Sequence, residues 1–480
     1  MVADSSPKPL RTLGPVEIYF SSRHYLGLYR CVALTCRYTL PPNTPPSNNA
    51  ILAALANVIS AHPMLRVGII NEVTTEAQFV HIPTVNLNEL VEFRTVPEEQ
   101  DYNKTIDDVQ AWCHDQMYKN IESRPPWRII VLRPASNPTF EDVILSFHHS
   151  IMDGVGSRQF HEYFLTELNS LAPEAYTSEF HPILSFPEPP SLPEAQEAVL
   201  GYTRSLSFWA ATIRDEAGPS FLKPAKPVIW AADPVILAHP HKTRVLSVDI
   251  PAPIVTSLLT ATRSHSTSIT ALFHALVLAS LVSRIPEAPA FASSTPIEMR
   301  PYLSSTADPA LRNSLRLLIS SMLHQFSPSD ISAFRAPDAD LDALIWHHAR
   351  SVKIQINKRT AILPADDKCS MLSYVTDWQS YWNKREGKLS DKSWEVSNVG
   401  RLQIPTARDG ERSISRALFT NGPMVSGGPM SISVASVPDG VLTLGISWNK
   451  DIVQEELMSG LANDLEAFMK RCHETGKFVA

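Results

Sequence analysis

Two adjacent histidines with an aspartate and a glycine close behind, His148-His149-Ser150-Ile151-Met152-Asp153-Gly154, form the sharpest chemical pattern in the chain. From the chain's own His, Asp and Gly frequencies, HHxxxDG is expected by chance in roughly one chain in a thousand. Imidazole is the side chain that gains and loses a proton near neutrality, so it suits general acid and base work. His149 falls where an apolar strand gives way to a turn, a place from which a side chain can project into a cleft, and it is the candidate general base. Asp153 can contact the imidazole or brace the loop, and Asp-Gly supplies the turn that starts the next helix. His148 continues the strand and reads as a buried, hydrogen-bonded packing residue. A metal reading would need His148, His149 and Asp153, with His161 as a fourth ligand. Their spacing does not put them on one face, and no metal is expected.

These residues need a strand before them and a helix after them, and the sequence provides both. Residues 127–132 and 143–147 are apolar β-rich runs separated by a polar turn, and the helical spacing resumes over 158–168. Upstream, 51–62 reads as a helix ended by His62-Pro63, then a strand, and 106–121 reads as a second amphipathic helix. Pro-rich stretches at 181–194 and 219–240 mark a linker, with a short helix near Phe208-Trp209 between them. The second half offers a strand at 244–250, helices at 253–263 and 271–281, and further helices at 341–356 and 372–382. It closes with a strand into Ser397, a hairpin turned by Pro438-Asp439-Gly440, and a helix over 455–470.

Other histidines and serines give weaker signals. His347-His348 lies inside a helical pattern with no DG four residues on, and reads as helix decoration. Ser426-Gly427-Gly428 lacks the glycine two residues before the serine that a nucleophile elbow needs, since Met424 stands there. Trp346, Trp378 and Trp382 read as packing.

Composition excludes several functions. With 42 Lys plus Arg against 49 Asp plus Glu, the net charge of -7 provides no field for a polyanion, so no nucleic-acid partner is expected. Seventeen glycines beside 39 prolines leave little material for a phosphate-cradling loop. The five cysteines are odd in number and lack CxxC spacing, which points to reduced thiols and a cytoplasmic setting. Neither a signal peptide nor a membrane span is apparent, because the longest apolar segment, 269–282, is interrupted by polar residues.

HHxxxDG is the signature of the superfamily that contains chloramphenicol acetyltransferase, plant acyl-CoA-dependent acyltransferases and the condensation domains of peptide synthetases. The phrases RTLGPVEIYFSSRHYLGLYR at 11–30, VISAHPMLRVGI at 58–69 and SNVG at 397–400 resemble its fungal alcohol acetyltransferase branch. The resemblance covers nearly the whole chain. It implies an α/β fold with mixed sheets, built as a pseudo-dimer of two lobes with a tunnel at their interface. The expected division is an N-terminal lobe over 1–200, a Pro-rich linker over 201–243 and a C-terminal lobe over 244–480.

By the same resemblance, His149 deprotonates a hydroxyl that attacks an acyl-CoA thioester, without an acyl-enzyme and with no bound cofactor beyond the donor. Asp153 and Gly154 then support the loop, with Arg300 as the ion-pair partner of Asp153 and Arg23 as the alternative. Ser397 and Asn398 resemble the tunnel-lining segment that can donate to the developing oxyanion, although the pair also reads as a turn after a strand. Thr270 would line the pantetheine arm, or simply cap a helix. The DFGWG phrase of the plant branch is missing. The function expected is O-acylation, with acetyl-CoA as donor, of a hydroxyl on a mid-sized apolar natural product by a monomer. An N-acylating or carrier-fed condensation catalyst, or a silent binding member, are the alternatives. No DSL-type carrier site is present, which favours free CoA.

Overall fold

The two apolar runs ahead of the HHxxxDG motif are continuous rather than alternating, as expected of strands covered on both faces. The computed structural model, which describes residues 8–136, 138–217, 228–304 and 308–479, bears this out. A five-stranded sheet runs in the order Ser413–Asn421, Val32–Thr39, Phe140–Phe147, Trp127–Pro134, Val91–Val96. Its pairs are antiparallel except the last, which is parallel. Side chains alternate across it: Ile129, Val131, Val143 and Leu145 enter one core with the helices Asn48–Ala61 and Gly154–Ser170. Ile130, Leu132 and Ile144 meet Ile106, Val109 and Cys113 of the helix Tyr102–Asp115 on the other face.

A second, six-stranded mixed sheet has the order Thr243–Ile250, Leu442–Asn449, Met430–Ser436, Trp394–Arg401, Phe291–Glu298, Ile319–Phe326. It carries its own core with the helices Ala252–Ser264, Ile269–Arg284, Leu341–Thr360 and Glu455–Thr475. The helix Ile269–Arg284 is apolar on nearly every side because it is buried in that core. No single helix among the described residues is long and apolar enough to cross a membrane. The chain is thus an α/β protein of two lobes.

The lobes are laced together. Ser413–Asn421 lies within the segment 244–480 yet pairs with Val32–Thr39 of the first sheet, so the boundary expected at residue 244 is crossed. The same strand also lies against Leu442–Asn449. There Gly445 sits so close to the Phe419 carbonyl that a Cβ would not fit. In the reverse direction, Asp107 of the first lobe accepts from Ser247 N and Oγ at 3.0 and 3.1 Å. Asp115 accepts from Thr243 N and Oγ1 at 3.0 and 2.6 Å. The linker over 201–243 includes the helix Leu206–Ala217, and its residues 218–227 lie outside the described residues.

Two expected helices are shorter than the spacing predicts. The one over 106–121 is Tyr102–Asp115, capped by Asp101 and ended where the Arg30 guanidinium takes the Asp115 carbonyl. The one over 372–382 divides into a 3-10 turn, Lys368–Tyr374, and the helix Trp378–Asn383. Asp377 adopts extended backbone and caps the second piece through Ser380 N at 2.8 Å, which sets a new helix start.

Candidate active site

His148 is where the first sheet stops: its N–H bonds Pro126 O at 2.9 Å, and Ile151 N–H bonds back to His148 O at 3.1 Å, turning the chain. The next acidic residue, Asp153, has extended backbone and caps the helix Gly154–Ser170 by accepting from Gly156 N at 2.7 Å. Strand end, turn and capped helix thus hold the motif rigidly.

The imidazole of His149 is 8% exposed. Its Nδ1 lies 3.0 Å from Met152 O, and a carbonyl oxygen can only accept, so Nδ1 carries the proton and Nε2 presents a lone pair. Nε2 makes no hydrogen bond among the described residues. Phe20 stacks on the ring with centroids 3.9 Å apart, and Tyr29 and Phe147 flank it at 5.9 and 6.4 Å. Burial pulls this imidazole down to about 4, against the opposing pull of Asp153.

His148 turns the other way. Its Nδ1 accepts from Ser150 N–H at 3.1 Å, which leaves the proton on Nε2, 3.5 Å from Glu72 Oε1. His24 mirrors it, accepting from Tyr118 N–H on Nε2 and directing Nδ1 at the same Glu72 oxygen, 2.9 Å away. Burial pushes the Glu72 carboxyl up, but hydrogen bonds from His148 and His24 outweigh it and bring the group to about 2. His24, Glu72 and His148 lie close enough to surround an ion. Their lone-pair nitrogens, however, aim at backbone N–H groups, so the trio is built as a hydrogen-bonded carboxylate rather than a ligand set. His161 is not part of the site, since its ring is taken by Tyr38 Oη and Leu34 O under the sheet. His348 packs on Phe334 in the other lobe.

Asp153 points away from the imidazole. Its Oδ2 accepts from Arg300 Nη1 and Leu318 N, each at 2.8 Å, and its Oδ1 accepts from Arg300 Nη1 at 3.1 Å besides the cap. Arg300, on the turn after Phe291–Glu298, also donates to Arg316 O at 3.1 Å. Of the two arginines weighed from the sequence, Arg300 therefore meets Asp153, while Arg23 lies among aromatic rings. Gly154 is tightly packed against both sheets: a Cβ there would lie 2.7 Å from Val399 Cγ1 and 3.0 Å from Phe419 Cζ.

The strand Trp394–Arg401 brings Ser397 and Asn398 to the lobe junction. Asn398 Nδ2 donates to Thr270 Oγ1 at 2.9 Å, and its Oδ1 accepts from Gly400 N at 2.8 Å. Thr270 and Asn398 are thus joined, whereas Ser397, 7% exposed, makes no side-chain hydrogen bond among the described residues. Sequence reasoning missed Phe20, Tyr29 and Glu395. Glu395 is buried and accepts from Ser294 Oγ at 3.0 Å and Asn421 Nδ2 at 3.1 Å. No local pattern announces these residues, which reach the site only through tertiary packing.

The buried imidazoles carry a stability prediction. Burial holds His62, His148, His149, His161 and His241 at about 4 and His114 at about 3. An unfolded chain protonates them near 6.5, so between pH 6.5 and 4 it binds more protons and stability falls as pH falls. Burial raises Asp107 to about 6 and Glu197 to about 7, which acts in the opposite sense but involves fewer groups. At about 1.4 kcal/mol per net proton per pH unit, Tm is expected to drop by on the order of 10 °C between pH 7 and 4.5. A flat Tm in calorimetry over that range would contradict these assignments.

With the geometry in place, comparison with known proteins gives a consistent result. The chain is 26% identical over 481 residues to a probable alcohol acetyltransferase, FCK4, of Fusarium pseudograminearum, covering 96% of this chain and 95% of the relative. It superposes on the trichothecene 15-O-acetyltransferase TRI3 of Fusarium sporotrichioides with a TM-score of 0.65 at 13% identity, covering 94% of each. It also superposes on a starter condensation domain of the rhizomide synthetase RzmA solved with C8-CoA, with a TM-score of 0.57 at 13% identity over 98% and 96%. The sequence model of the alcohol acetyltransferases matches residues 12–472, so the chain belongs to the alcohol acetyltransferase family and is an acyltransferase.

Proposed function

We propose that the protein transfers the acetyl group of acetyl-CoA directly to a hydroxyl of a mid-sized, largely apolar alcohol, with His149 as general base. The observation that carries this reading is the tautomer of His149. Nδ1–H is fixed on Met152 O, and Nε2 is the free lone pair of a ring clamped by Phe20. Nε2 takes the hydroxyl proton as the oxygen attacks the thioester carbonyl, the C–S bond breaks, and the proton passes on to the CoA thiolate. Asp153, engaged by Arg300, Leu318 N and Gly156 N, orients the loop and remains outside the chemistry. Asn398 spends its amide on Thr270 and Gly400, so the role of oxyanion donor falls to the unpartnered Ser397 hydroxyl, with Thr270 and Asn398 shaping the wall beside it. Both lobes come from one chain, so a monomer in the cytoplasm suffices.

The test is thiol release from acetyl-, malonyl- and longer acyl-CoA in the presence of primary and secondary alcohols, with the ester product identified by mass. Acceptor-dependent release with acetyl-CoA and no acylated protein in intact-mass spectra is the expected outcome. An acyl adduct on the chain, or release that ignores the acceptor, would overturn direct transfer.

A further inference from the structure

Arg23 lies on the helix Pro15–Tyr25 and is 3% exposed, yet its guanidinium forms no ion pair and no hydrogen bond among the described residues. Its Cζ stands 4.6 Å from the centre of the Tyr29 ring, 5.4 Å from those of Tyr19 and Trp382, and 6.0 Å from that of Phe20. Phe20 and Tyr29 are also the rings that flank His149, so the guanidinium and the base share two aromatic neighbours. The carboxylates of the site are engaged elsewhere: Asp153 by Arg300, Glu72 by His24 and His148, Glu395 by Ser294 and Asn421. Aromatic faces offset part of the cost of burying a cation, but they offer its N–H groups no oxygen. The buried guanidinium thus holds N–H donors that no protein oxygen satisfies among the described residues. Its planar fork suits a carboxylate or carbonyl oxygen.

We propose that Arg23 is the acceptor-recognition residue of the site. It binds a carboxylate or carbonyl oxygen carried by the alcohol, which sets the hydroxyl a few bonds away against His149 Nε2. The acceptors are therefore hydroxy acids, hydroxy esters or hydroxy ketones rather than plain alkanols. This rests on the acyl-transfer reading above, and the measurements separate the two.

Matched acceptors, 1-hexanol, 6-hydroxyhexanoate and its methyl ester, are assayed with acetyl-CoA against the wild type, Arg23→Lys and Arg23→Met. The wild type is expected to prefer an oxygen-bearing acceptor over hexanol by roughly 10-fold or more in kcat/KM. The preference should collapse in Arg23→Met, mainly through KM, and survive in part in Arg23→Lys. The better of acid and ester tells a charged handle from a neutral one. In parallel, hexanoate and methyl hexanoate, which lack a hydroxyl and cannot react, serve as binding probes by thermal shift. At least one should raise the Tm of the wild type and fail to raise that of Arg23→Met. Equal rates across the trio, a preference that persists in Arg23→Met, or probe stabilisation absent from or equal in both proteins overturns the proposal. Probe binding that depends on Arg23 without any acetyl transfer would instead overturn the acyl-transfer reading and leave this one standing. Arg23→Met should also melt no lower than the wild type when ligand-free, because it removes an unpaired buried charge. A large drop with substrate preference intact would make Arg23 a packing strut instead.

Discussion

His149→Ala is expected to lower acceptor-dependent thiol release by about 10²- to 10⁴-fold and to leave the protein folded. The fold should survive because the ring's hydrogen bond is local, to Met152 O three residues on, and what is lost beyond it is the contact with Phe20 and its neighbours. Activity should not survive, since Nε2 is the free lone pair of the motif, while His148 spends its lone-pair nitrogen on Ser150 N–H and turns its Nε2 toward Glu72, 3.5 Å away. Equal rates for wild type and variant would remove His149 from the reaction. The pH profile supplies an independent reading. Burial brings the imidazole to about 4, so it is unprotonated over the neutral range. The acid limb of kcat/KM should then lie near pH 4 to 5, with no inflection at the ordinary histidine value of about 6.5. An inflection at 6.5 that disappears with His149 would show that the ring is better solvated than its packing indicates.

The sequence made the local half of the site legible. His149, Asp153 and the start of Gly154–Ser170 lie within one strand, turn and helix, and an apolar run followed by a capping aspartate can be recognised without tertiary context. Arg300 was reached through resemblance, because 147 residues separate it from Asp153 and no periodicity links them. What remained illegible shares one physical reason. Phe291–Glu298 reads FASSTPIE, with hydroxyls and a proline where a strand signal would want alternation, and it is a strand because its neighbours on both sides pair with it. Ser413–Asn421 joins a sheet whose other strands end at Phe147, a topology that no local pattern encodes. Phe20 and Tyr29 look like ordinary packing residues of an N-terminal helix and loop until folding sets them around His149, and Arg23, weighed from the sequence only as a partner for Asp153, is set against Tyr29 instead.

Arg300→Ala is expected to destabilise the protein by about 3–5 kcal/mol, because it strips the cation from a carboxylate that cannot reach water. The side chains of Asp153 and Arg300 are 4% and 5% exposed, and Arg300 also satisfies Arg316 O, so the variant orphans a charge and a carbonyl at once. Asp153→Asn should cost somewhat less. Its remaining oxygen can keep the Gly156 cap, but its NH₂ would face donors, Arg300 Nη1 and Leu318 N, where the wild type offers an acceptor. The double variant should then be less destabilised than the sum of the two, with a coupling of about 1–3 kcal/mol in denaturant titrations. Additive losses would mean that the pair does not act as a unit. This ion pair joins the loop carrying His149 to the turn after Phe291–Glu298 in the other lobe, so activity should fall together with stability. Assayed at a low temperature where Asp153→Asn is still folded, most of its turnover should return. A variant that melts with the wild type yet has lost all turnover would instead place the carboxylate in the chemistry, because a brace cannot be removed without loosening what it holds.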